Sequence, residues 1–515
     1  MINIENKKND LPKEIFDINF YNEISFKILN CLDDSFKECS DLLKLNNKNK
    51  YNNLVAIYYH HLTQLLCSYY FVKFEYSILN VNHNIYRKYF INNRCDWPIN
   101  YNSVSNDLFD SDKYYFKNKK NIKKKIFNLI NRIVSFSPKY KLMFLDNVSG
   151  LNKFSLSLNS IYIENQPLDL RFEYIEGIKQ WNILEKNIRL LNNNLIKIFN
   201  KNISFSEFFL NFLKKEFFKY HNSGSSITIK SDILVTGTLA QLSARIIAAN
   251  AKLKNKKIIS IFHGESIGDI DEPIFCKVEQ EYCDYLIGYG ELGCRDFLTG
   301  GDNLFNITPE VIKRDSKRVR YLYKDKNIIK INKNKLNTIM YVPTSYSGTH
   351  RYGPYREYND LAYMYWQDSM LEQFKGTFKP KRILKKIHLK ERISQKLNPN
   401  YIEIVQKKDF YKIIDKADVF IFDYPTSAFA LAAATNKPIV FFNIGLRNLT
   451  ENALDSIKKR CIYISGNPLS VKEMVKESYD NFHIDCMNNY TEKYSITNKK
   501  INLELAISNL INKII

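Results

Sequence analysis

The chain has 515 residues, 45% of them hydrophobic, and a formal net charge of +22 from 76 basic and 54 acidic side chains. This length exceeds one ordinary hydrophobic core and predicts two or three domains. Every stretch of about 18 residues contains charged or strongly polar side chains, and the start lacks an apolar signal segment. We therefore expect a cytoplasmic protein, and the positive charge suits a phosphorylated or polyanionic partner.

The nine cysteines are scattered and form no Cys-x-x-Cys pair, which excludes a disulfide framework and a zinc ribbon as organising features. An Asp-x-Asp pattern, which can hold a metal ion, occurs at residues 269–271. It follows a His-Gly loop, and we do not interpret it as a metal site. We predict that the protein requires no cofactor.

The region 1–220 is rich in aliphatic and aromatic residues at helical spacing and predicts a helix-rich N-terminal region, part of or added to the first domain that follows it. Within it, residues 117–134 place isoleucines on one helical face and lysines around the rest. Such a helix is suited to peripheral contact with an anionic membrane, at the inner face of the cytoplasmic membrane. The simpler alternative is a solvated helix that packs one stripe on the core.

From about residue 230 short apolar runs alternate with helical stretches. The segment 232–266 predicts a strand at Ile233–Thr236, a helix of about fifteen residues and a parallel strand at 258–262 that ends at His263. Further strands are expected within 336–342, 381–390 and 419–442. We expect an α/β protein with a first Rossmann-like core at 221–310, a linker at 311–335 and a second Rossmann-like domain at 336–515.

The stretch VFIFDYPTSAFALAAATNKPIVFF, residues 419–442, places polar side chains between two buried strands. Thr426 is predicted to cap a helix of small residues at 427–435, with Ser427 beside it. Such a helix N-terminus at the carboxyl end of a strand is a seat for phosphate. Asp423, which closes the strand, is expected to orient either the loop or a ligand hydroxyl.

Other polar side chains are predicted to gather at the same edge. Thr344 follows the strand within 336–342, Arg351 lies in the loop beyond it, and His388 lies within the segment 381–390. Together they suit a nucleotide phosphate pocket. His263, in the other domain, is placed to take a proton from an acceptor hydroxyl.

These segments resemble the CDP-glycerol glycerophosphotransferases and related capsule polysaccharide transferases of the Kdo and sialyl type. DVFIFDYPTSAFALAAATNKPIVFF is similar to a strand ending in Asp-Tyr-Ser-Ser, a helix and a Lys-Pro-Ile strand. TIMYVPTSY looks like a strand ending in Ala-Pro-Thr, KKIHLK like a Lys-Leu-His-Pro segment and SIFHGES like a His-Gly-Thr motif. The resemblance covers about residues 230–465.

The resemblance implies the GT-B architecture, two Rossmann-like parallel-sheet domains facing a cleft. Residues 221–310 would form the acceptor-side core and 336–515 the domain of a cytidine-activated donor, with metal-independent transfer. It assigns Thr426 and Ser427 to the donor phosphate, His388 to the donor and His263 to the base. The sequence departs from the pattern at Pro425, at Leu389 and after His-Gly. Rival bases therefore stay open among the acids of HGESIGDIDEP, namely Glu265, Asp269, Asp271 and Glu272.

We expect a glycosyltransferase of surface polysaccharide or glycoconjugate biosynthesis. It would transfer a sugar, such as the acidic sugars Kdo or a nonulosonic acid, from a cytidine nucleotide to a glycan or lipid-linked acceptor. Transfer of a polyol phosphate, as from CDP-glycerol, is an alternative. Alternatives of another class are a nucleic-acid-binding protein and a non-catalytic glycan-binding protein. No nucleic-acid recognition motif is visible, so we expect no nucleic acid partner.

Overall fold

The computed structural model describes the chain in segments, and all structural statements below concern these. They are residues 142–144, 174–199, 207–221, 229, 231–239, 242–265, 267–271, 282–296, 308–324, 337–344, 360–387, 400–405, 409–465 and 489–514, with eight isolated helical positions between 23 and 66. The expected basic helix at 117–134, Arg351, Glu272 and His388 lie outside the described residues.

Five strands form a wholly parallel sheet, sheet 1, in the order β1-β2-β3-β4-β5. The strands are β1 Leu142–Phe144, β2 Ile233–Thr236, β3 Lys257–Ile261, β4 Tyr285–Tyr289 and β5 Glu310–Arg314. Helices α1 Tyr174–Phe199 and α2 Glu207–His221 precede β2, and α3 Leu242–Leu253 connects β2 to β3. The predicted strand–helix–strand unit is confirmed, with a helix of twelve residues and a second strand one residue earlier than expected.

Six strands form a second parallel sheet, sheet 2, in the order β11-β10-β9-β6-β7-β8. They are β6 Thr338–Tyr341, β7 Arg382–Lys386, β8 Ile402–Val405, β9 Val419–Phe422, β10 Ile439–Asn443 and β11 Ile462–Ser465. The associated helices are α4 Lys317–Lys324, α5 Asp360–Phe378, α6 Ser427–Ala433 and α7 Glu451–Arg460. The expected α/β fold class with two parallel-sheet domains is confirmed.

The central strands of sheet 2 are buried because their side chains are apolar on both faces. All four residues of β9 are buried, and Phe422 packs edge-on against Phe429 of α6 with ring centroids 5.3 Å apart. Phe429 also contacts Phe441 of β10 at 5.4 Å. The small residues of α6 let this helix lie close to the sheet, so the turn before it is held on a rigid base.

The chain returns to sheet 1 after sheet 2 is complete. Helix α8 Asn489–Tyr494 belongs to the core of sheet 2, and helix α9 Leu503–Ile514 packs its apolar face on the core of sheet 1. Between them the chain passes Gly290, whose φ is +75° and where a Cβ would lie 2.1 Å from the Lys493 carbonyl oxygen. Only glycine fits this crossing. The domain boundaries at 220, 310 and 335 stay a prediction.

A short backbone contact joins the loop after β3 to the loop after β10. Ile270 and Leu449 form an antiparallel bridge, and the Asp271 N–H donates to the Asn448 carbonyl at 2.9 Å. The Thr450 N–H donates in turn to the Asp269 carbonyl at 3.0 Å. We call these residues, 269–271 with 448–450, the joint. It connects two loops that each leave the carboxyl end of a parallel sheet.

Among the described helices, none combines the length and the apolar character that crossing a membrane requires. The proposed contact of residues 117–134 with a membrane surface stays a prediction.

Candidate functional site

The turn between β9 and α6 is built around the Thr426 side chain. Its Oγ1 accepts hydrogen bonds from the N–H groups of Ala428 at 3.2 Å and Phe429 at 3.3 Å, so Thr426 is the N-cap of α6, as predicted. Helix α6 ends at Ala433, two residues earlier than expected. Ser427 is exposed, so its hydroxyl is the group at this turn that faces solvent.

Asp423 closes β9 and lies beneath the turn rather than on its surface. It is 3% exposed, and Tyr341 of β6 and Tyr363 of α5 both donate their hydroxyls to its Oδ2, Tyr363 at 2.6 Å. Burial raises the pKa of Asp423 to about 6, against the two tyrosine hydrogen bonds, which lower it. These contacts tie β9 to β6 and α5, which is the loop-orienting role considered for Asp423.

Thr344 belongs to the same network through its backbone. Its N–H donates to the Tyr363 hydroxyl at 3.2 Å, and its side chain is half-buried at the carboxyl end of β6. Strands β6 and β9 are neighbours in sheet 2, so Thr344 and the β9 turn lie at the same edge. The assignments of Arg351 and His388 stay predictions, since neither residue is described.

His263 follows β3 and is exposed at the carboxyl end of sheet 1. Its Nδ1 lies 3.3 Å from the carbonyl oxygen of Gly237, which follows the neighbouring strand β2. A carbonyl oxygen only accepts hydrogen bonds, so this contact requires the neutral ring to carry its proton on Nδ1. The lone pair of Nε2 is then free for a proton, as a general base requires.

The acids after His263 occupy three different environments. Glu265 is half-buried and accepts a hydrogen bond from the Ser316 hydroxyl at 2.8 Å. Asp269 is fully buried in the joint, where Tyr490 donates to it at 2.6 Å and burial raises its pKa well above the usual range. Asp269 is therefore withdrawn as a rival base, because solvent cannot reach it. Asp271 is exposed and stays a rival.

The joint brings the two sets of loops together. Asp271 lies in the loop that begins at His263, and Asn448, its backbone partner, follows Arg447. The Arg447 guanidinium lies over the Tyr424 ring, 5.7 Å from its centroid, and Tyr424 belongs to the β9 turn. A continuous set of contacts thus runs from the His263 loop to the β9 turn.

Several residues of this site escaped the sequence analysis. Tyr341 and Tyr363 are distant in sequence from Asp423, and only the fold brings them together. The only sequence signal for this pair of tyrosines was the polar hydroxyl of Tyr341 at the end of the apolar strand β6. Arg447 carried a weak signal of its own, as a basic residue in the loop after the apolar run of β10.

The described part of the chain contains no group of three or more His, Cys, Asp or Glu side chains arranged to hold a metal ion. The metal independence of the reaction stays a prediction, and it is tested below.

Comparison with known proteins gives distant structural likenesses. No protein-family model matches the chain, and no curated protein matches its sequence. A glycosyltransferase from Rickettsia africae is similar at 12% identity and a TM-score of 0.36, over 76% of this chain and 93% of that chain. The Anabaena protein HepE, in complex with UDP and glucose, is similar at 10% identity and a TM-score of 0.33, over 73% and 99%. The glycosyltransferase SnogD from Streptomyces nogalater follows at 9% and 0.32, over 74% and 100%.

Similarities this distant do not decide what the chain does, so the assignment of function rests on the geometry of the site.

Proposed function

We propose that the chain is a glycosyltransferase that moves a sugar from a nucleotide donor to a hydroxyl of a glycan or lipid-linked acceptor. The donor is proposed to be a cytidine nucleotide carrying an acidic sugar such as Kdo or a nonulosonic acid. The product would be a surface polysaccharide or glycoconjugate. The motifs quoted above suggest the donor class, and the proposal assigns the acceptor to sheet 1 and the donor to sheet 2.

The observation that carries the proposal is the hydrogen bond between His263 Nδ1 and the Gly237 carbonyl. It sets an exposed imidazole in the tautomer that accepts a proton at Nε2. The ring stands at the carboxyl end of a parallel sheet, where such sheets bind their ligands. A surface histidine that is merely solvated has no need of a fixed tautomer. A ring fixed in this way therefore favours a role in proton transfer.

The donor side is proposed at the β9 turn. The exposed Ser427 hydroxyl and the half-buried Arg447 are placed to contact an anionic leaving group. A guanidinium is well suited to phosphate because it presents several N–H donors in one plane. Thr344 borders this surface, and Arg351 and His388 are retained as donor-binding residues on the strength of the sequence.

In the proposed reaction the acceptor hydroxyl gives its proton to His263 Nε2 while its oxygen attacks the anomeric carbon of the donor sugar. The bond from that carbon to the phosphate oxygen breaks, and the nucleotide leaves with the bonding electron pair. Ser427 and Arg447 stabilise the negative charge that develops on the phosphate. Binding both substrates at adjoining loops also raises the reaction rate, because it brings the reacting atoms into contact.

The proposal is tested by nucleotide release from a panel of donors. The full chain is incubated with CMP-Kdo, a CMP-nonulosonic acid, CDP-glycerol and UDP-glucose, each with and without a mixture of small glycosides. We expect CMP release from a CMP-sugar, faster with an accepting glycoside, and no change on adding EDTA. Release of CMP from CDP-glycerol alone would mean that the chain transfers a polyol phosphate and not a sugar. Release from none of the donors, or only with a divalent cation, contradicts the proposal.

A further inference from the structure

Arg314, the last residue of β5, is a buried cation that the reaction above does not use. It is 4% exposed, and its guanidinium lies over the ring of Tyr289, 3.8 Å from the centroid. Burial lowers its pKa, against the opposing influence of Tyr289 and Glu265. Burying a charged side chain costs free energy, so the contacts that offset this cost indicate its role.

The first contact of Arg314 is with the residue before His263. Its Nη2 donates to the carbonyl oxygen of Phe262, a bond that spans two strands of sheet 1. Since Phe262 leads directly into His263, this bond fixes the peptide plane from which the imidazole projects.

The loop is held a second time on the other side of His263. Glu265 accepts a hydrogen bond from Ser316 at 2.8 Å, and its negative charge acts to raise the pKa of Arg314. Ser316 is two residues beyond Arg314 and begins the turn into α4, where Val319 donates to its Oγ. The segment from Phe262 to Glu265 is therefore held at one end by the last residue of β5 and at the other by Ser316, two residues beyond it.

The contacts of Arg314 and Ser316 with this loop determine the position of the His263 ring. The Nδ1 contact with Gly237 is 3.3 Å long, at the outer limit of a useful hydrogen bond, so a small backbone shift at Phe262 would break it. Once that bond is lost, the ring is free to carry its proton on either nitrogen.

We infer that Arg314 is a positioning residue that, together with Glu265 and Ser316, holds the His263 loop so that Nδ1 donates to Gly237 and Nε2 accepts a proton. The inference concerns the state of the ring, and its catalytic meaning rests on the proposed function. It also assigns Glu265 to the support of the loop rather than to proton transfer.

The test reads the ring directly, without substrate. The full chain is labelled with ¹⁵N-histidine, and the His263 signals among those of the eight histidines are assigned by their absence in His263→Gln. In the wild type the Nδ1-protonated tautomer should dominate the neutral ring. In Arg314→Met the tautomer ratio should move roughly three- to tenfold toward that of free histidine, the size expected for one lost hydrogen bond.

Arg460→Met is the matched control. Arg460 ends α7 and is also 4% exposed, and it donates to backbone carbonyl oxygens between Ala433 and Lys437. Its loss therefore removes an equally buried arginine without touching the His263 loop. We expect its His263 tautomer ratio to equal that of the wild type. An equal shift in both variants would show general loosening and would overturn the inference.

Milder variants keep the test decisive if Arg314→Met does not fold. Glu265→Gln and Ser316→Ala should each move the ratio in the same direction by a smaller amount, and Arg314→Lys should restore it only in part. An unchanged ratio in every folded variant overturns the inference. A shifted ratio in a chain that cleaves no donor supports the inference and counts against the proposed function alone.

Discussion

Replacing His263 with glutamine is expected to lower the rate of sugar transfer by about 10²–10⁴-fold, the range that general-base catalysis contributes. Glutamine is neutral and similar in reach, but it does not take up a proton near neutral pH. Nucleotide affinity should be unchanged, because the ring stands on sheet 1 while the proposed phosphate contacts lie on sheet 2. Steady-state kinetics with the donor that the panel described above identifies, together with nucleotide titration, measures both quantities.

Asp271→Asn is the control for this prediction, since Asp271 is the exposed acid in the same loop. We expect it to reduce turnover only slightly. If Asp271→Asn abolishes turnover and His263→Gln does not, the base is the acid and the assignment of His263 is wrong.

The stability of the wild type relative to Asp423→Asn is expected to fall as the pH rises from about 4 to above 6. Burial raises the folded-state pKa of Asp423 to about 6, from an ordinary value of 3.8. A raised pKa means that the folded protein binds this proton more tightly than the unfolded chain. The stabilisation is complete below the ordinary pKa and is lost as the pH passes the folded one. It amounts to at most about 3 kcal/mol.

Urea unfolding of both proteins at several pH values measures this difference. The asparagine variant has no titrating group at position 423, so the common titration of all other groups cancels in the comparison. If the difference in the free energy of unfolding stays constant between pH 4 and 7, the pKa of Asp423 is not raised in the folded protein. Asp423 would then not be buried against Tyr341 and Tyr363 as described.

The strands were the most predictable part of the fold, for a physical reason. Parallel strands are buried on both faces, so runs such as Val419–Phe422 stand out from the sequence. The three-residue strand Leu142–Phe144 did not stand out, because so short a run occurs in helices and loops as well. The return of α9 to sheet 1 was equally invisible, since its apolar stripe does not say which sheet it covers.

Within the site, local contacts were predictable from the sequence and contacts between distant residues were not. The cap at Thr426 was predictable because its partners are two and three residues away. The joint pairs Ile270 with Leu449, and Asp423 is held by tyrosines from another strand and a helix, and no local pattern encodes such contacts. Asp269 was accordingly kept open as a rival base, although it is buried in the joint.

The central claim is that the β9 turn holds a nucleotide, and a thermal-shift series tests it most directly. CMP, CDP, UDP, GDP and single-stranded DNA are added in turn to the wild type and to Ser427→Ala. A cytidine nucleotide at about 100 times its dissociation constant should stabilise the wild type by about 2.7 kcal/mol. We expect a larger Tm increase with CMP or CDP than with UDP or GDP, and a smaller increase in the variant than in the wild type. Stabilisation by DNA alone, or by no nucleotide at all, would contradict it.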